Sequence, residues 1–283
     1  MRNRSQGWQY AKITGHQYEH TFAQQCMVQG SRVQAAVLDI AALDGIAGTL
    51  TSAVISTSMV PDVFGTLTTP KSDATLTYSC GSKQTISIKK PSASGGQAHL
   101  TKVARFVHAL QIQGVTVPAD VSWVLESFTG ETNDVPIVQF AAGVRINSPL
   151  IKKYGMPAEL HQNRLYPSTI RAQFPGRWEV FSKWFEKHLP EITHLCFRTG
   201  YCADLLNHAD RLFWGKTNCF YDLKRLIAHM DGNHIEPSRR GYYAGSTITL
   251  PWGFVQVHRP GKSEGPYQLQ FHYSMQQLLE LCR

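Results

Sequence analysis

The sequence predicts an α/β or α+β fold, a mixed central β-sheet flanked by helices. Three observations carry that expectation: helical spacing near the N-terminus, strict alternation over residues 72–90, and further alternating stretches near the C-terminus. A chain of 283 residues is long enough to bury a sizeable core. The expected division is a core over 1–146 and a basic portion over 147–283 that adds strands to the same sheet, as two parts or as one domain.

The elements are expected in the following order. "GWQYAKITGHQYEHTFAQQCMV" (7–28) reads as a helix, with Trp8, Ala11, Phe22 and Met27 near one stripe. A second helical stretch, "SRVQAAVLDIAALDGIAGTL", starts at residue 31, and residues 56–70 read as loop. The alternating hairpin follows, then "PSASGGQ" (91–97), a loop of small residues. "AHLTKVARFVHALQIQG" (98–114) places Leu100, Val103, Ala104, Val107, Ala109 and Leu110 at helical spacing, and "VPIVQFAAGVRI" (135–146) fits a buried strand or a short helix. "WEVFSKWFEKHLPEITHLCFR" (178–198) is amphipathic, with Pro190 expected to break or kink it. "TITLPWGFVQVH" (247–258) and "YQLQFHY" (267–273) both alternate and form a second expected hairpin across a basic loop.

Hydrophobic residues make up 42% of the chain, and the mean hydropathy is −0.23. No apolar run reaches the ~18 residues of a membrane span, so no membrane association is expected. The start "MRNRSQGWQY" lacks the apolar region of a secretory signal. Six cysteines are scattered without a CxxC pair, which suits free thiols in a reducing cytoplasm. The net charge is +8. Residues 1–144 carry 10 Lys+Arg against 9 Asp+Glu, whereas residues 145–283 carry 18 against 11. A basic half joined to a nearly neutral one points to a polyanionic partner, nucleic acid above all.

In "SDATLTYSCGSKQTISIKK" (72–90), Ala74, Leu76, Tyr78, Ile86 and Ile88 share one parity, and Asp73, Thr75, Thr77, Thr85, Ser87 and Lys89 the other. A hairpin centred on Gly81 pairs residues whose numbers sum to 162, with Asp73 opposite Lys89 and Thr75 opposite Ser87. Alternation then turns the apolar set toward a core and puts Asp73, Ser87 and Lys89 on the opposite face. Opposed Cβ atoms are about 5 Å apart, so carboxylate and ammonium can share one small ligand. The same residues also fit a solvated cross-strand ion pair. Phosphodiester cleavage has a use for them together: an anionic ligand for a divalent metal beside the scissile phosphate, and a cation to orient water and offset developing charge.

An aspartate opening one strand, followed after a turn by a strand ending in a polar residue, a spacer and Lys, resembles the motif of the PD-(D/E)xK nucleases. "TPKSDATLTYSCGSKQTISIKK" is similar to the MspI-like group of type II restriction endonucleases, in which a PK-x-DAT strand leads to a polar-x-Lys strand. The resemblance covers residues 68–91 and extends to the first helix. The loop and strand "RPGKSEGPYQLQFHY" loosely resembles the group's last hairpin. It implies a nuclease core with Asp73 as metal ligand, Lys89 as catalytic lysine, and Ser87 in the slot usually held by Asp or Glu. Glu19, in "GHQYEH", would be a further ligand or the partner of one, and it fits a solvent-facing helix glutamate as well. Implied with these are Mg2+, with Mn2+ able to substitute, double-stranded DNA as partner, and 5′-phosphate products. A cognate DNA methyltransferase would belong to the same system without direct contact, and the protein would be a monomer or a homodimer.

Cations and rings expected at DNA are Lys90, Lys152, Lys153, Arg239, Arg240, Tyr242, Tyr243, Arg259 and Lys262, as phosphate or base contacts. Each fits an ordinary solvated side chain too. Ser87 keeps open a DNA-binding protein that has lost catalysis. "HQYEH" (16–20) also matches the inverted zinc-protease pattern, with His16 and His20 on one helix face. Cys196, Cys202, His208 and Cys219 fit no standard zinc spacing.

Overall fold

A computed structural model describes residues 4–131, 165–238, 245–258 and 268–282, with side chains described from residue 13 on. The chain forms two compact units interleaved in sequence: Met1–Ser94, Thr193–Ala228 and Leu279–Arg283 in the first, and Gly95–Ile192 and His229–Leu278 in the second. The class is the expected one, mixed α+β with a mixed sheet flanked by helices. Among the described residues, no helix is long and apolar enough to cross a membrane.

The first unit opens with α1 (Arg4–Met27) and α2 (Arg32–Leu43), the latter capped by Ser31, whose hydroxyl accepts from Gln34 N–H. The helix expected from residue 31 ends at Leu43, and Leu50–Ile55 is strand β1. Most of residues 56–70 is loop, with a two-residue ladder between β2 (Val60–Pro61) and β3 (Leu67–Thr68). β4 (Ala74–Tyr78) and β5 (Lys83–Lys89) are the expected hairpin. β7 (Arg211–Trp214) and β8 (Cys219–Asp222) complete a sheet of order β1-β4-β5-β7-β8. β5 pairs with β7 in parallel and all other pairs are antiparallel. The core lies between the two helices and this sheet: Phe22, Cys26, Val33, Val37 and Ile40 pack with Ala74, Leu76, Tyr78, Ile86, Ile88 and Phe213. Phe22 and Phe213 rings lie 4.7 Å apart.

The hairpin register differs from the expected one. Residue numbers of paired positions sum to 160, with Ala74 opposite Ile86 and Thr75 opposite Thr85. Tyr78 N–H bonds Ser82 O and Gly81 N–H bonds Tyr78 O, so Ser79–Gly81 form a three-residue turn ending on Gly81 at φ +86°. Gly81 is the left-handed residue closing the turn, and Cys80 is its centre. Shifting the sum by two preserves parity, so every side chain keeps its face while its partner changes.

In the second unit β6 (Gly95–Thr101), β9 (Glu236–Pro237), β10 (Ile248–Leu250), β11 (Gly253–His258) and β12 (Gln268–Ser274) form a sheet of order β6-β12-β11-β10-β9. Residues 98–101, expected as helix, belong to β6, and helix α3 is Val103–Ile112. Gly95–Gln97, expected as loop, pair with β12, where a Cβ on Gly95 would stand 2.4 Å from Tyr273 O. The stretch 247–258 is two strands: Pro251 and Trp252 turn the chain, and β11 pairs with β12 as the second hairpin. α4 (Ala119–Thr129) packs on a helix at Pro175–Lys187. That helix stops at His188, and a short one starts at Leu189 with Pro190, as the missing N–H demands. The stretch 135–146 lies outside the described residues.

The charge surplus is not confined to one unit. The first holds 14 Lys+Arg against 9 Asp+Glu, and the second 14 against 11. The linear contrast between halves disappears because the basic segment around Arg198–Arg225 returns to the first sheet.

Candidate active site

Asp73 directly precedes β4: its N–H bonds at 2.8 Å the carbonyl of Ile86, the residue that Ala74 pairs with, and its own carbonyl accepts from Ser56 N–H. Its side chain meets Ser87 and the Ile88 N–H. Its Oδ2 accepts from Ile88 N–H at 2.6 Å and from Ser87 Oγ at 3.2 Å. Lys89, two residues along the same face, reaches back: its Nζ donates to Ser87 Oγ at 2.9 Å and stands 3.9 Å from Asp73 Oδ2. Ser87 thus bridges the ammonium and the carboxylate. The three contacts fall on Oδ2, which leaves Oδ1 as the carboxylate oxygen for a ligand.

This face is less open than the alternation implied. Asp73 and Lys89 are about a quarter exposed, and Ser87 and Thr85 are buried. β5 is an interior strand, with β7 alongside it from more than 120 residues away; the Asp210 N–H donates to Thr85 O and Oγ1, and its carboxylate accepts from Thr85 Oγ1. Gly215 follows β7. Its N–H donates to Lys89 O, and a Cβ there would collide with the Tyr18 hydroxyl. Helix α1 therefore passes close to the C-terminal end of β5, where Lys90 Nζ also donates to Thr14 Oγ1 at 3.1 Å.

That passage brings Glu19 into the cluster. Burial raises its carboxyl above the usual carboxylate range, and the Asp73 carboxylate pushes the same way. His16, whose Nδ1 lies 3.0 Å from Glu19 Oε2, and Lys89 oppose the shift. Asp73 and Glu19 together offer carboxylate oxygens, which suit a hard divalent cation. Mg2+ is commonly held by one or two carboxylates, with water and phosphate filling the rest. Among the described residues, no three His, Cys, Asp or Glu gather into a metal site. The inverted zinc-protease pattern thus finds no third ligand there, and His16 is engaged with Glu19 itself. Cys196 and Cys202 are buried, Cys219 is exposed on β8, and His208 Nε2 lies 3.1 Å from Cys202 O.

Lys71 is a residue the sequence reading passed over. Its Nζ donates to Cys196 O at 2.6 Å. Burial lowers its ammonium to about 8; Lys89 adds to that shift and Asp73 opposes it. Its sequence signal is its place as the lysine of the PK-x-DAT stretch, two residues before Asp73, to which the sequence alone assigned no role. Lys152, Lys153, Arg239, Arg240, Tyr242, Tyr243, Arg259 and Lys262 lie outside the described residues.

No protein-family model matches the chain, and no curated protein matches it. Among solved structures it aligns with restriction endonuclease MspI in complex with its cognate DNA, over 91% of this chain and 83% of that one, at a TM-score of 0.45 and 11% identity.

Proposed function

We propose that the protein is an endonuclease of restriction type that hydrolyses double-stranded DNA at a specific sequence with Mg2+, or Mn2+ in its place, leaving 5′-phosphates. The observation that carries this reading is the chain Lys89–Ser87–Asp73 across adjacent β-arms, with Glu19 beside it.

Asp73 and Glu19 would hold the cation, Asp73 through Oδ1. Bound there, Mg2+ would supply Lewis-acid stabilisation of the charge that builds on the phosphoryl group. Lys89 would orient the attacking water and offset the same charge. Ser87 accepts from Lys89 through an oxygen lone pair and donates its one proton to Asp73, so its hydroxyl fixes both partners. Ile88 N–H keeps the Asp73 carboxylate from rotating. Lys90, at the same strand end, would neutralise a flanking phosphate, and the basic and aromatic residues of 239–243 and 259–262 would grip and read the duplex. A restriction role entails a cognate methyltransferase that protects host DNA without contacting this protein.

Because Ser87 supplies no second carboxylate from β5, a binding protein without catalysis is the competing reading. Digestion of a plasmid of known sequence with Mg2+ separates them. Discrete fragments whose sequenced ends share one short site and carry 5′-phosphates are expected. A plasmid that is shifted in a gel yet stays intact under these conditions would favour the competing reading.

A further inference from the structure

Residues 194–210 tie into the hairpin at two places. On the β5 side, Asp210 N–H bonds Thr85 O at 2.9 Å, while its carboxylate takes Thr85 Oγ1 and Arg198 Nη2, each at 2.9 Å. On the β4 side the tie is Lys71. The Lys71 and Ser72 N–H groups both donate to Asn207 O, and Lys71 Nζ reaches the Cys196 carbonyl. Cys196 lies in a π-helical turn, His194–Thr199, that ends on Gly200 at φ +55° and ψ −131°. The Lys71 stem occupies the space over that glycine: a Cβ there would stand 2.8 Å from Lys71 Cε and 2.9 Å from its Cγ. Wide π turns are uncommon and concentrate at functional sites.

A brace alone would not need a charge. Methionine would fill the same volume without the cost of desolvating an ammonium. The chain instead keeps an amine, held at both stem and tip, two residues from Asp73 on the segment that leads into β4.

We propose that Lys71 is a positioning residue of this site, a second and immovable cation. It fixes the strand that presents Asp73, and its charge holds down the affinity of the Asp73–Glu19 pair for a divalent ion. This inference rests on the nuclease reading and goes beyond it, because it assigns opposite signs to two effects of one substitution. Removing the charge strengthens metal binding and slows cleavage. A residue that only braced the strand would weaken both or move neither.

The test is a Mn2+ titration of the full-length, DNA-free protein followed by electron paramagnetic resonance, alongside single-turnover cleavage at saturating Mn2+. Lys71→Met is expected to bind Mn2+ roughly three- to tenfold more tightly than wild type and to cleave about tenfold more slowly. Lys71→Gln, which can still donate to the Cys196 carbonyl, should show the same tightening with a smaller loss of rate. Lys71→Arg keeps the charge and should bind Mn2+ like wild type. If Lys71→Met fails to fold, the Gln and Arg variants decide the question. Unchanged or weaker Mn2+ binding in the charge-removing variants, with a wild type that binds Mn2+ and cleaves, overturns the role of Lys71 alone. A wild type that neither binds Mn2+ nor cleaves overturns the nuclease reading, and the role of Lys71 falls with it.

Discussion

The β4–β5 and β11–β12 arms are both antiparallel pairs with one apolar face, yet their polar faces are built from different chemistry. On β11–β12, Val255, Val257, Leu269, Phe271 and Tyr273 are buried. The other face carries Gln256, Gln270 and His272, joined across to Gln97 of β6. Gln270 Nε2 donates to Gln97 Oε1 at 2.7 Å, Gln256 Nε2 to Gln270 Oε1 at 2.8 Å, and Gln256 Nε2 also lies 3.0 Å from His272 Nε2. The Phe254 and His272 rings stack at 4.9 Å. β6, β10, β11 and β12 contain no Lys, Arg, Asp or Glu, and burial lowers the His272 pKa, which keeps that ring neutral. Such a face satisfies its donors with its own acceptors. The β4–β5 face gathers charge instead: burial raises the Glu19 carboxyl and lowers the Lys71 ammonium, with Asp73 and Lys89 respectively adding to those shifts. Perturbed carboxyl and ammonium groups of this kind cluster at functional sites.

The contrast can be broken most forcefully at Lys89. Lys89→Ala should lower the single-turnover cleavage rate by about a hundred- to a thousandfold, while a gel shift of the same duplex persists. Loss of the shift instead would make Lys89 a binding residue. Ser87→Ala removes the bridge between Lys89 and Asp73, and a fall of about ten- to a hundredfold in the same rate is expected. A wild-type rate would mean that the two charges need no hydroxyl between them.

Glu19→Gln sharpens the contrast through stability. A carboxyl raised in the folded state holds its proton to higher pH than in the unfolded chain, so the native state loses stability as pH climbs above the ordinary carboxylate value. Glutamine escapes that loss. Without metal, thermal denaturation at pH 7 should give a Tm about 2 °C above wild type. The gain should shrink on acidification and vanish below about pH 4, where both states of the glutamate are protonated. A variant no more stable than wild type at pH 7 would remove the perturbed carboxyl on which the comparison turns. The smallest effect is expected at Lys90: Lys90→Ala should reduce the slope of log affinity for DNA against log salt by about 1, measured by fluorescence anisotropy.

Much of the first sheet was legible because alternation is local. The parity that puts Asp73, Ser87 and Lys89 on one face needs only the residues between 73 and 89, and it survives the shift in register. Register itself turned on whether Gly81 centres the turn or closes it, which depends on a backbone angle and not on residue type. What covers that face was out of reach. Thr85 and Ser87 read as solvated, and they are buried because β7 and Asp210 arrive from far along the chain. Lys71 was hidden for the same reason, since its partners Cys196, Gly200 and Asn207 carry no motif. The strand at Gly95–Thr101 was missed because its apolar residues run into the helical spacing of α3, while its pairing with β12 is fixed by residues about 170 positions away.

One experiment sets the two sheets against each other directly: single-turnover cleavage of one mapped duplex by Asp73→Ala and Gln270→Ala, side by side with wild type under Mg2+. The expected result is no product from the aspartate variant and a wild-type rate from the glutamine variant, with both still shifting the duplex in a gel. Cleavage by Asp73→Ala at the wild-type rate would contradict the central claim that the carboxylate before β4 and the amine ending β5 form the reactive centre.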